Sequence, residues 1–392
     1  MYGIHSVIDI SELIFSALKT MLLSGSMEIR DVDDKGEDPF LYASGWSGIG
    51  YILVKALVSH PFFPGLAMLL SIKVAATAPK TSFVAGNLTG GVIPGWLLSR
   101  NLEVLLGHPV QFMYMAGSRK IEEAMTKPVM IVDKPVLESI AHQIAGAVVD
   151  YIPEDVDFVA GGAPDGMVLG HRISEILSLH YRRHVPFVYV RDKKKSGGHG
   201  EMITGIQNNP FFKPGMTALA IGCFPGHIDD MTGYVISVLK ESGFKTVSYH
   251  EASEEDGLSP FQPSFFKDML RPLSPWEEFS GGEQPEGVTA EELTNFTAST
   301  RNSATVLERK FRLHVPYATC LLSYDQPEAN KQLGLEGLDL IYLFVLKDLL
   351  TAARKIGSHP GKLIKGYRQF LADPVGWNKK RGIQQKEKGG TI

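Results

Sequence analysis

The chain has 392 residues, 44% of them hydrophobic and 21% charged, with a formal net charge of −4. This is the composition of a globular protein with room for a sizeable core; it excludes a disordered or collagen-like chain. The acidic balance gives no reason to expect nucleic-acid binding by bulk electrostatics, so any basic site must be argued locally. Two cysteines, Cys223 and Cys320, cannot build a disulfide framework and fit a reducing compartment. No signal peptide is expected, because Ser11 and Glu12 interrupt the first apolar run. The apolar stretch 62–76 contains Pro64 and Lys73 and is too short to span a bilayer. The expectation is a cytoplasmic protein with no membrane partner.

In chain order, the first organising feature is an internal repeat. An offset of 75 residues lays Phe83-Val-Ala-Gly86 on Phe158-Val-Ala-Gly161, Tyr114 on Tyr189 and Lys120 on Lys195, with twelve identities over residues 83–120 and no gap. Each copy reads strand, glycine turn, helix, strand, basic loop, which is a βαβ unit. The copies differ at their ends. The first closes on Met115-Ala-Gly-Ser-Arg-Lys120. The second runs from the strand-like 185–190 into Arg191-Asp-Lys-Lys-Lys-Ser-Gly-Gly-His199-Gly200-Glu201, four cations and a histidine on a glycine-softened loop. A basic loop behind a buried strand suits closure over a polyanion. Upstream, Phe158-Val-Ala-Gly-Gly-Ala-Pro-Asp-Gly166 is a strand entering a glycine turn, where backbone N–H groups can cradle phosphate at a helix start. Together they point to diphosphate chemistry, with the second copy as the working one and the first as a structural or pseudo-site copy.

Beyond the repeat, the spacing predicts a buried strand over 217–221, a loop over 222–233, a helix over 234–242 stopped by Gly243, and a strand over 244–249. Such alternation implies a parallel sheet with helices on both faces. Residues 251–292 hold eleven Asp or Glu against only Lys267 and Arg271, and read as a solvated acidic excursion or a partner-binding lid. Strands are expected over 317–324 and 338–345, and an amphipathic helix over 346–356. The organisation expected is a degenerate N-terminal half (1–125), a core bearing both loops (126–250), an acidic irregular insertion (251–311), C-terminal strands and helices completing that core (312–377) and a basic tail (378–392).

This order of pieces resembles orotate phosphoribosyltransferase, a type I phosphoribosyltransferase. Val159 to Gly166 looks like that family's pyrophosphate loop, and Arg191 to Glu201 like its mobile catalytic loop. Leu322-Ser-Tyr-Asp325, Leu343-Phe-Val-Leu-Lys-Asp-Leu-Leu350 and Tyr367-Arg-Gln-Phe-Leu-Ala-Asp373 are similar to its closing strand and last helices, and Tyr51 to Pro61 to its entry into the core. The resemblance implies an α/β fold, a mainly parallel sheet flanked by helices, here with a partial duplicated βαβ unit. It also implies transfer of the phosphoribosyl group of phosphoribosyl pyrophosphate to a nucleobase, orotate in the family, with Mg²⁺, for pyrimidine nucleotide synthesis. Charge builds on the departing pyrophosphate, so cations must reach it in the transition state. Lys195 is the expected main contact, supported by Arg191, Lys193 and Lys194; His199 would touch pyrophosphate or donate a proton. Gly161, Gly162 and Gly166 would bring backbone amides to the diphosphate. A solvated lysine turn and a surface histidine are the plainer reading of the same loop.

Two positions depart from the pattern. The family follows a hydrophobic strand at once with two acids and a Thr/Gly-rich phosphate loop, which hold ribose hydroxyls and help place the metal. After 217–221 this chain has Cys223 and Phe224 there. A shifted reading uses Asp229 and Asp230, with indirect metal contact, and Thr232 and Gly233; the other reading has these aspartates capping the next helix. At Asp325, the family's following Arg is Gln326, which removes a counter-charge for an anionic base. Alternatives are therefore a catalytically degenerate homologue with a structural or regulatory role, and diphosphate displacement on a modified base. The family's habit of dimerising leaves two expectations, a homodimer or a pseudo-dimer within one chain.

Overall fold

The computed structural model of the protein describes residues 10–41, 47–88, 90–116, 118, 120–152, 156–164, 166–191, 202–206, 209–222, 228–248, 269–274, 285–290, 298–325, 333–334 and 337–383. The chain opens with α1 (Ile10–Leu23) and four short strands, β1 (Met27–Ile29), β2 (Phe40–Leu41), β3 (Ser47–Gly48) and β4 (Gly50–Ile52), then a 3-10 turn at Val54–Ser59. A first unit follows: α2 (Phe63–Thr77), β5 (Phe83–Asn87), α3 (Val92–Leu106), β6 (Gln111–Met115), α4 (Ile121–Thr126) and β7 (Val129–Val132). A second repeats the order: α5 (Lys134–Tyr151), β8 (Phe158–Gly162), α6 (Gly166–His180), β9 (Phe187–Val190), β10 (Ile203–Thr204), β11 (Thr217–Ile221), α7 (Ile228–Glu241) and β12 (Lys245–Ser248). The chain then gives β13 (Leu270–Pro272), β14 (Glu286–Ala290), α8 (Ala298–Phe311), β15 (His314–Ser323), β16 (Asp339–Val345), α9 (Leu346–Ile356), α10 (Gly361–Ala372) and α11 (Pro374–Lys380).

These strands form two separate main sheets, ordered β13-β7-β6-β5-β14-β15-β16 and β10-β9-β8-β11-β12. Both are parallel except at one flank, where β7 and β10 pair antiparallel with β6 and β9, and β13 pairs antiparallel with β7. The 75-residue repeat survives as register: Val84 faces Phe112 as Val159 faces Phe187, and Gly86 faces Tyr114 as Gly161 faces Tyr189. The antiparallel step matches too, Tyr114 opposite Met130 and Tyr189 opposite Thr204.

Each sheet is covered on both faces, which is why β5, β8 and β11 are buried along their whole length and read as near-continuous apolar runs. Val84, Phe112, Val159 and Phe187 join residues of α2, α3, α5 and α6 in the largest core. The alternate side chains point the other way, Phe83, Ala85 and Met113 against α8, and Phe158, Ala160 and Val188 against α7. The α/β class with mainly parallel strands flanked by helices is thus as expected, but in two sheets where one was expected.

The expected organisation of the C-terminal half is corrected. Strands β14, β15 and β16 extend the first unit's sheet: Gly287 to Ala290 pair in parallel with Phe83 to Gly86, and Val288 to Ala290 with Tyr317 to Thr319. They do not complete the sheet of 126–250, whose β11 and β12 fill that side already. Nor is 251–311 an irregular insertion throughout, since it supplies β13, β14 and the whole of α8; residues 249–268, 275–284 and 291–297 lie outside the described residues. The second unit is in effect inserted into the first. The tail from 384 on also lies outside the described residues.

The terminal segments lock onto each other and onto the second unit. Asn378 Nδ2 donates to the Ser47 carbonyl at 2.9 Å, and Arg381 pairs with Asp33 at 2.7 Å. Ser59 Oγ donates to the Gly205 carbonyl at 2.8 Å, while a His184 ring nitrogen lies 2.8 Å from the Ser59 carbonyl. No helix among the described residues is long and apolar enough to cross a membrane.

Burial lowers the pKa of His60, His171, His184 and His359 below the usual 6.5. A base with a depressed folded-state pKa is protonated first in the unfolded chain, so folding releases protons and stability falls as pH drops. Stability is expected to be full well above the unfolded value of about pH 6.5 and the melting temperature to fall progressively as pH drops through and below it. Thermal melts across that range check it, and His171→Leu, which removes the most buried of the four, should flatten the slope.

Candidate active site

The C-terminal ends of β8 and β11 converge with the starts of α6 and α7. A side chain on Gly161 would strike the carbonyl oxygen of Gly166, and one on Gly166 would come within 2.9 Å of the Ile221 carbonyl oxygen. These glycines let three backbone segments meet at the sheet edge, where α6 presents its N-terminal N–H groups. Gly222 is pinched in the same way against Thr232, whose buried Oγ1 has no hydrogen-bond partner among the described residues. An orphan hydroxyl in the second turn of a helix, beside a glycine turn, fits an anionic oxygen. The structure therefore brings together Gly161, Gly162, Gly166 and Thr232, while Gly233 is exposed. Asp229 and Asp230 fall in the first turn of α7, which begins six residues before the expected start at 234. That is the position the capping reading gave them.

Arg191 directly follows β9 and is anchored. Its Nε donates to Thr204 Oγ1 at 3.1 Å, its carbonyl accepts from Tyr234 Oη at 2.8 Å, and its N–H pairs with the Met202 carbonyl at 2.9 Å. It thus fixes both stems of the loop at the edge where Thr232 lies close to Tyr234 along α7. Lys193, Lys194, Lys195 and His199 lie outside the described residues, as do Cys223 and Gln326.

The first unit repeats the backbone device with different polar groups. A side chain on Gly86 would sit 2.6 Å from the Gly91 carbonyl oxygen. Where the second unit has Gly162, the first has Asn87, and Ser303 Oγ on α8 donates to Asn87 Oδ1 at 2.6 Å. Asn302 Nδ2 donates to the Ser118 carbonyl at 3.0 Å, and Ser118 Oγ donates to Glu123 at 2.9 Å.

No protein-family model and no curated protein matches this chain. Among solved structures, it is similar to Leishmania donovani UMP synthase at 13% identity and a TM-score of 0.25, over 91% of this chain and 42% of that one. It is similar to orotate phosphoribosyltransferase from Aeropyrum pernix at 17% identity and 0.20, over 59% and 85% of the two chains. The Mycobacterium tuberculosis orotate phosphoribosyltransferase gives 11% and 0.21, over 54% and 74%. The similarity is to orotate phosphoribosyltransferases and UMP synthase. This chain spans less than half the length of that synthase, and at 11–17% identity no residue is assigned a role by likeness.

Register points to an acid pair that sequence reasoning missed. Ala290 lies opposite Gly86 as Ile221 lies opposite Gly161, so β14 and β11 hold equivalent places in the two sheets. Gly222, Cys223 and Phe224 follow β11, whereas Glu291 and Glu292 follow β14 at once, then Leu293, Thr294, Asn295, Phe296 and Thr297, all outside the described residues. The signal was the pair of acids followed by Thr294 and Thr297, but the strand before it, Glu286-Gly-Val-Thr-Ala290, carries little apolar character and the acidity of 251–292 hid it. Among the described residues no three His, Cys, Asp or Glu side chains gather to hold a metal ion. Mg²⁺ at a diphosphate needs only one or two carboxylates, with water and phosphate oxygens supplying the rest. Glu291 with Glu292, or Asp229 with Asp230, fits that donor set.

Proposed function

We propose that this protein binds phosphoribosyl pyrophosphate with Mg²⁺ and transfers its phosphoribosyl group to a nucleobase, orotate being the first candidate by resemblance. The observation that carries the reading is the division of features between the two units: the acid pair Glu291 and Glu292 follows β14 of the first unit's sheet, and the cationic loop 191–201 follows β9 of the second. In this reading the acids hold the ribose hydroxyls, and the glycine turn at 86–91 or 161–166 receives the diphosphate on backbone amides. Lys195, helped by Lys193, Lys194 and Arg191, meets the charge that grows on the leaving pyrophosphate, and His199 contacts the same group or donates a proton. Bound Mg²⁺ would neutralise part of the diphosphate charge.

The test is a calorimetric titration with phosphoribosyl pyrophosphate and Mg²⁺, followed by pyrophosphate release with orotate and then other bases, for wild type beside Lys195→Ala. Binding is expected in both proteins, with turnover in the variant down by about 10²–10³-fold, because a group that acts on developing charge matters in the transition state. Wild-type protein that fails to bind at millimolar ligand would favour a degenerate homologue kept for a structural role. The Ser303–Asn87 bond across the first unit's turn suits that second reading.

A further inference from the structure

Helices α3 and α6 are the same element of the two copies, and they pack against each other. Across their contact Arg100 Nη1 donates to Glu175 Oε2 at 2.8 Å. The two residues are 75 apart, so each is the repeat equivalent of the other. A two-fold relation between the copies brings equivalent residues together where its axis passes. The surroundings are repeated within each copy. Trp96 and His171 are equivalent positions, both buried, each with a ring nitrogen lacking a hydrogen-bond partner among the described residues. Trp96 meets Phe112 edge-on at 5.8 Å and 68°, and His171 meets the equivalent Phe187 at 5.6 Å and 74°. Helices α2 and α5 flank the pair in equivalent places.

We infer that the chain is a fused pseudo-dimer, in which the α3–α6 contact is the face that two separate copies would use and Arg100 and Glu175 stand at its pseudo-two-fold axis. The charges carry the argument. A symmetric pair of first units would set Arg100 against Arg100, and a symmetric pair of second units Glu175 against Glu175, each a like-charge clash. Opposite charges at one axis position require two different units. Glu175 also accepts from Arg172 Nη1 at 3.0 Å, and Arg172 pairs with Glu138 at 2.7 Å, so the axis sits in a network built from both copies. The partner for this face is therefore already in the chain, and a second molecule has no place on it. Freed from identity, the units have diverged, and the inference stands whether or not the ligand proposed above binds.

The test needs no ligand. Wild type in sedimentation equilibrium at micromolar concentration is expected to keep this face internal: Arg100→Glu should lower the melting temperature by about 3–6 °C without changing the mass. Adding Glu175→Arg, itself destabilising, should raise the melting temperature of the Arg100→Glu protein. A wild-type mass of two chains that Arg100→Glu reduces to one would overturn the inference, because the face would then join separate molecules. A double variant that melts no higher than Arg100→Glu alone would also overturn it. If a single variant does not fold, recovery of folded protein in the double variant supports the inference, and a double variant that stays unfolded overturns it.

Discussion

Titrated with phosphoribosyl pyrophosphate and Mg²⁺, Glu291→Ala/Glu292→Ala is expected to lose at least about 100-fold in affinity, while Asp229→Ala/Asp230→Ala stays within about threefold of wild type. The reason is positional. In the proposed site the carboxylate pair leaves the strand beside the glycine turn that receives the diphosphate. Ala290 ends β14 opposite Gly86, and the acids follow immediately. Asp229 and Asp230 come eight and nine residues after Ile221, within the first turn of a helix, where a carboxylate interacts with N-terminal N–H groups. The reverse outcome, loss with the aspartates and none with the glutamates, would move the site to the second unit, with Thr232 and Gly222 as its floor.

The second large effect concerns stability. Gly161→Ala and Gly86→Ala are each expected to cost at least about 2 kcal/mol in urea unfolding, since the new methyl meets backbone rather than a movable side chain. On Gly161 it would press on the Gly166 carbonyl and the Phe187 ring; on Gly86 it would lie 3.0 Å from the Gly91 carbonyl carbon and 3.2 Å from Val92 Cα. Gly146→Ala is the control. It lies within α5 with nothing inside 4 Å, and there the same change should stabilise by about 0.5–1 kcal/mol. Equal penalties at 86 and 161 would mean that both copies depend on the same close approach of strand to helix. An unpenalised Gly86→Ala would mean that the first copy has relaxed.

Much of the local structure was legible. The helix over 346–356 was expected at its observed bounds, because Leu346, Leu349, Leu350 and Ala353 make one apolar face and Gly357 supplies a left-handed stop. The strands 217–221 and 83–87, and the equivalence of 158–162 to the latter, followed from short apolar runs and the repeat. The start of α7 was missed because Gly226 and His227 precede it and its first turn, Ile228-Asp-Asp-Met, carries as many acids as apolar residues. Thr232 was a candidate by resemblance, but the burial and missing partner of its hydroxyl left no signal, since a buried and an exposed threonine are the same letter.

Sequence by itself determined that the strands of the repeat are buried on both faces, where glycine must let backbones approach, and that one βαβ unit occurs twice; it gave no sign of β13, β14 or α8. It could not decide which strand lies beside which. Parallel pairing joins residues some 200 positions apart, Val288 to Val84 among them, and a doubly buried strand carries no mark of its neighbour because its apolar faces suit any covered sheet. Only the tertiary structure put β14 in the first sheet, and with it the strand end that Glu291 and Glu292 follow. The same holds for Arg100 and Glu175, whose equivalence is written in the sequence but whose contact is created by packing two helices about an axis.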